Sequence, residues 1–125
     1  MMSSREKVLI IEDDDSIREI VRIMLKDYDV IEASNGLDGI RLFLKERPKV
    51  VLVDISMPEI DGVEVTREIL KADPKAIVIG LTAFARSRGR DLMEAGATCI
   101  IEKPFTRKIL KEVIEKSLGK IPAKT

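Results

Sequence analysis

Short, nearly uninterrupted apolar runs alternate with longer stretches whose apolar residues return every three or four positions, and the chain repeats this five times. The runs KVLIIE (7–12), YDVIEA (28–33), KVVLVD (49–54), AIVIGLT (76–82) and TCIIEK (98–103) are rich in β-branched residues and read as strands. Between them IREIVRIMLK (17–26), LDGIRLFLKE (37–46), VEVTREILKA (63–72), RGRDLMEAG (88–96) and RKILKEVIEKSL (107–118) carry the helical period. Alternation of this kind means βα units and a mostly parallel sheet. VVLV and IVIGL have no polar face, so their strands are buried on both sides, with helices above and below. The expected fold is α/β, a doubly wound (βα)5 three-layer sandwich.

Local signals punctuate the same pattern. Asp15 or Ser16 suits the cap of the first helix, and Asn35-Gly36 reads as a turn. Pro48 and Pro74 close the second and third helical stretches, and Gly96 suits the C-terminal turn of the fourth. YDVIEA is short and charged, which places it at a sheet edge. That placement is consistent with the parallel order 2-1-3-4-5 of flavodoxin-like sheets, in which ligands sit beyond the carboxyl ends of the strands. The whole of 1–125 is expected to be a single domain with its core in about 6–118 and a flexible polar tail over 119–125.

Composition narrows the chemistry. Lys+Arg 22 against Asp+Glu 22 leaves a formal net charge of +0, so no global field draws the chain to nucleic acid or to a membrane. The start MMSSREK reads as neither a signal peptide nor a membrane span, and the single cysteine, Cys99, fits a reducing cytoplasm and a small core position. His 0 excludes phosphate donation from histidine, an imidazole metal site and a Ser-His triad. Any metal must be held by oxygen.

Chemistry-bearing residues gather where the apolar runs end. Glu12 and Asp13 follow VLII, Asp54 closes VVLV, Thr82 closes AIVIGL and Lys103 follows CIIE. In the expected topology all reach one edge. Asp14 and Asp15 suit helix capping, whereas Glu12 and Asp13 with Asp54 crowd negative charge that a divalent cation relieves. Magnesium suits such a site, being octahedral, oxygen-seeking and slow to shed its water. A carboxylate such as Asp54 can serve as a nucleophile and become an aspartyl phosphate, with magnesium, Lys103 and the Thr82 hydroxyl neutralising the transferring group.

At these residues the chain resembles the receiver domain of two-component response regulators, including the single-domain chemotaxis regulator, over essentially residues 6–118. The motifs are IIEDD at 10–14, VDISMPEIDG at 53–62, LTA at 81–83 and EKPF at 102–105. The resemblance implies that Asp54 is the phosphoacceptor, phosphorylated by the phosphohistidine of a sensor histidine kinase or by small phosphodonors. It implies that Glu12 (through water), Asp13, Asp54 and the Ser56 backbone carbonyl hold Mg2+. Lys103 would pair with the phosphoryl group and Thr82 would swing towards it. The peptide between Lys103 and Pro104 would be cis, and the face of the fourth helix, fifth strand and fifth helix would signal to a downstream effector protein or phosphotransfer domain. Such a protein is a cytoplasmic switch that catalyses only its own phosphorylation and dephosphorylation.

Three positions depart from, or vary within, that pattern. Relatives carry Tyr or Phe where this chain has Ile100, which cannot swing a ring in step with Thr82. Ser56 and Phe84 stand at variable positions expected to border the phosphoryl group, and bulky Phe84 is expected either to slow attack by water or only to shield core from solvent. Gly89 lowers helix propensity, which suits either a movable fourth helix or a tolerated surface glycine. Besides a stand-alone receiver, the sequence admits a receiver cut from a longer regulator. A flavodoxin-like cofactor binder lacks a Gly-rich phosphate cradle and stacking aromatics (Trp 0, Tyr 1). A magnesium-dependent phosphate-ester hydrolase lacks an acid-base carboxylate at Ser56.

Overall fold

The computed structural model describes residues 5–83 and 85–119, with 85–87 as backbone only. The elements run β1 (Lys7–Ile11), α1 (Asp15–Met24), β2 (Asp29–Ala33), α2 (Gly36–Glu46), β3 (Val50–Asp54), α3 (Gly62–Ala72), β4 (Ile77–Thr82), α4 (Ala85–Glu94), β5 (Cys99–Glu102) and α5 (Arg107–Ser117). All strand pairings are parallel, and the order is β2-β1-β3-β4-β5, the order expected.

The strands divide their side chains between two cores, as a pleat of period two must. Leu9, Ile11, Val51, Val53 and Val78 pack with Phe43 of α2, Val65 and Ile69 of α3 and Leu92 of α4. Val8, Ile10, Leu52, Ile79, Leu81 and Ile101 pack with Val21 of α1 and Leu110 and Ile114 of α5. The result is the expected three-layer sandwich. Every residue of β3 is buried, which matches a strand with no polar face.

Helix starts narrow the alternatives of the sequence reading. Of the residues suited to capping α1, Asp14 takes the role and Asp15 and Ser16 do not: its Oδ1 accepts from the amides of Ser16 at 2.8 Å and Ile17 at 3.3 Å. Asp15 is thereby free to pair with Arg18 on the first turn. Asn35 is likewise a cap rather than part of a free turn, accepting from the Asp38 amide at 2.9 Å, and Gly36 opens α2. Gly36 is needed because a Cβ there would lie 2.5 Å from Ile60 and 2.7 Å from Val65. The peptide between Lys103 and Pro104 is cis.

Two expectations about single residues change. Cys99 is half-buried at the margin of the second core rather than within it. Gly89 is buried within α4 and so is not a surface glycine. Gly80 of β4 provides the seat for α4, since a Cβ there would fall 2.1 Å from Leu92 Cδ2. The expectation for Phe84 and that for the tail beyond Gly119 lie outside the described residues.

Candidate functional site

Parallel strands all end on the same edge, and here the polar residues begin where the apolar runs stop. Glu12 follows β1, Asp54 and Thr82 are the last residues of β3 and β4, and Lys103 follows β5. Glu12, Asp54 and Thr82 are all buried despite their polarity, at 1 %, 6 % and 3 % exposure. Burial of this kind is rare without partners. The structure brings one carboxylate oxygen each of Glu12, Asp13 and Asp54 within 4.8 Å of one another, with Asp13 the exposed member.

Lys103 closes the site from the far side of the sheet. Its ammonium donates to Glu12 Oε1 at 3.0 Å and to Asp54 Oδ1 at 3.4 Å. Its own amide donates to the Thr82 carbonyl at 2.8 Å, so the lysine and the threonine are held by adjoining backbone. The Ile55 amide donates to the Leu81 carbonyl at 3.2 Å, which fixes the chain just past Asp54 to the same strand. Ser56 lies exposed in the following loop.

Three carboxylates face one ammonium, and the titration behaviour follows from that imbalance. Burial pushes the Glu12 carboxyl up to about 7, and the negative charge of Asp54 adds to this, against hydrogen bonds from Lys103 and the Asp14 amide. Burial pulls the Lys103 ammonium down, but Glu12 and Asp54 outweigh it and hold the group above its ordinary value. The two shifts pull opposite ways on one ion pair. Desolvation and a second carboxylate bear on Glu12, whereas Lys103 has two anions to itself. The site therefore carries excess negative charge. Its all-oxygen donor set fits a hard divalent cation such as Mg2+.

Two contributions were not apparent from the chain alone. Arg18 of α1, 14 % exposed, donates through Nη1 to the Glu12 carbonyl at 2.6 Å, and through its other nitrogens reaches Asp15 and Glu32. Arg88 of α4 donates to Asp61 Oδ2 at 2.7 Å, while Asp61 Oδ1 caps α3 by accepting from the amides of Val63 and Glu64. Both arginines look like ordinary polar-face residues of amphipathic helices, so periodicity carries no signal for them. Gly62, the last residue of the VDISMPEIDG motif, is placed so that a Cβ would lie 2.4 Å from the Asp54 carbonyl oxygen.

An open parallel sheet with clustered acids and one lysine at its carboxyl edge defines a doubly wound domain of the receiver type. The sequence matches the family model of the response regulator receiver domain over residues 8–115, and the chain belongs to that family. It is 36 % identical over 116 residues to the chemotaxis protein CheY of Listeria monocytogenes, covering 89 % of this chain and 97 % of that one. It is 37 % identical over 121 residues to the "Probable transcriptional regulator ycf27" of Porphyra purpurea, covering 94 % of this chain but 49 % of that protein. The chain thus spans about half the length of the ycf27 relatives. Among solved structures, the receiver domain of the sensor histidine kinase PA1611 of Pseudomonas aeruginosa superposes with a TM-score of 0.86 at 26 % identity, covering 94 % of this chain and 99 % of that one. That structure has a magnesium ion coordinated in its active-site cleft. Among the described residues, no helix is long and apolar enough to cross a membrane.

Proposed function

We propose that this chain is a phosphorylation-driven switch in which Asp54 accepts a phosphoryl group from the phosphohistidine of a sensor histidine kinase. The observation that carries the reading is the Lys103 ammonium bridging Glu12 and Asp54 beside a third carboxylate. That arrangement is costly without a function and suited to neutralising a phosphoryl group. Asp54 attacks phosphorus as the phosphorus–nitrogen bond to the donor imidazole breaks, and the product is an acyl phosphate that water later hydrolyses. Lys103 and the Thr82 hydroxyl take up the oxygens of the transferred group. Glu12, Asp13, Asp54 and the Ser56 carbonyl would hold Mg2+, which supplies charge neutralisation at those oxygens. The chain is then a cytoplasmic signalling protein, not an enzyme acting on external substrates. Its output is altered binding to a downstream effector or phosphotransfer domain.

A second reading has a specific observation behind it. Because the chain covers about half of the ycf27 relatives, it also suits the receiver part of a longer regulator. Either way the first test is intact-mass spectrometry after incubation with a small phosphodonor and Mg2+. A single magnesium-dependent phosphoryl adduct, lost in Asp54→Asn, is the expected result. An adduct that persists in Asp54→Asn would refute the assignment of the acceptor.

A further inference from the structure

The loop between β1 and α1 carries two of the three clustered carboxylates, and they are held in different ways. Glu12 is fixed at both oxygens, Oε1 accepting from Lys103 at 3.0 Å and Oε2 from the Asp14 amide at 3.1 Å. The Asp13 carboxylate takes no part in the side-chain hydrogen bonds or ion pairs found among the described residues. Its position is set by the backbone of the loop.

That backbone is gripped at the residue leading into Asp13. The Glu12 amide donates to the Ala33 carbonyl at 3.0 Å, and the Glu12 carbonyl accepts from Arg18 Nη1 at 2.6 Å. The same guanidinium pairs with Asp15 at the start of α1 and with Glu32 of β2 at 3.4 Å, and Arg22 reaches the other oxygen of Glu32 at 3.2 Å. A planar fork with several fixed donors can hold three acceptors on three different stretches of chain at once, which an ammonium cannot do with the same geometry.

We propose that Arg18 is a positioning residue for the cation site. It ties the Glu12 carbonyl to α1 and β2 and so fixes the Asp13 carboxylate beside Asp54. The proposal rests on the reading that the acidic cluster holds Mg2+. Electrostatics and positioning make opposite forecasts. Arg18 is a positive charge near a divalent cation, so its removal would, by charge alone, tighten binding. Loss of an outer partner that orients a ligand weakens metal binding, by about 10- to 100-fold in known sites.

The experiment is calorimetric titration of the full chain with Mg2+, for wild type, Arg18→Gln, Arg18→Lys and Asp13→Asn, under conditions where each is folded. Arg18→Gln is expected to weaken binding about tenfold. Arg18→Lys, which keeps the charge but not the fork, is expected to weaken it as well. Unchanged or tighter binding in Arg18→Gln, or full affinity in Arg18→Lys, would overturn the proposal. Should Arg18→Gln fail to fold, Arg18→Lys decides alone. A wild-type titration indifferent to Asp13→Asn would overturn the cation reading itself. Wild-type binding that depends on Asp13 but not on Arg18 would overturn only the positioning role.

Discussion

Ionising Glu12 in the metal-free protein should cost folding stability between about pH 4.5 and pH 7, the window its folded carboxyl defines. A carboxyl whose folded pKa stands above its unfolded value binds more protons in the native state. Its contribution is therefore fully present below the unfolded value and is lost as pH rises through the folded one. A carboxyl displaced from 4.5 to about 7 corresponds to roughly 3 kcal/mol, a large share of a small domain's stability. Other shifted groups leave this window clear. Asp27 and Asp61 are held below their ordinary carboxylate values, while Tyr28, Cys99 and Lys103 are held above values that are already alkaline. Urea denaturation at intervals from about pH 5 to about pH 8 in a chelator should show stability falling as pH rises. Saturating Mg2+ should remove most of the fall, because a ligand that binds only the folded state adds stability and favours the ionised carboxylate. Glu12→Gln should flatten the chelator curve. A Glu12→Gln protein with the wild-type slope, or a wild-type curve flat in chelator, would refute the reasoning.

Arg88→Ala should act on the acid side instead. Burial alone would raise the Asp61 carboxyl, but the Arg88 guanidinium and the amides of Val63 and Glu64 outweigh it and hold it low. Stability from this pair is present above the unfolded carboxylate value and lost as pH falls through the depressed one. The variant should therefore lose less than about 1 kcal/mol near neutral pH, the pair being about a third exposed, and should unfold at higher pH in an acid titration. An unmoved acid midpoint would count against the ion pair. Gly62→Ala should destabilise by about 1–3 kcal/mol, because its Cβ would meet the Asp54 carbonyl oxygen at 2.4 Å and the Ile55 Cα at 2.8 Å, both backbone atoms. Urea denaturation should read this loss, and a variant as stable as wild type would show that the α3 start can move away from β3.

The sheet was legible because its strands carry the information in their own composition. VVLV has no polar face and is buried throughout, and YDVIEA, with charged residues, lies at the edge. Glu12, Asp13, Asp54 and Lys103 could be brought together on paper because parallel strands share an edge, and the structure does cluster them. Helix caps were legible only to within a residue. Neighbouring aspartates can each cap in principle, and the extended backbone and the accepted amides at Asp14 select it. Arg18 and Arg88 could not be found this way. Their partners lie across helix–strand or helix–loop contacts, and an arginine on a polar helix face looks the same whether it faces water or a carbonyl. The motif glycine Gly62 was visible, but its reason, the approach of α3 to the Asp54 peptide, was not.

Among the described residues of α4, Leu92 and Arg88 are held by forces of different kind. Leu92 sits in the hollow left by Gly80, a contact of shape that salt does not weaken. Arg88 is held to Asp61 by charge at a partly exposed site, where screening is effective. Ionic strength thus weakens one of these holds and leaves the other. A change of ionic strength therefore acts on the turn that carries Arg88 and not on the turn that carries Leu92. Of the two holds, the salt-sensitive one is the nearer to Thr82 along the chain.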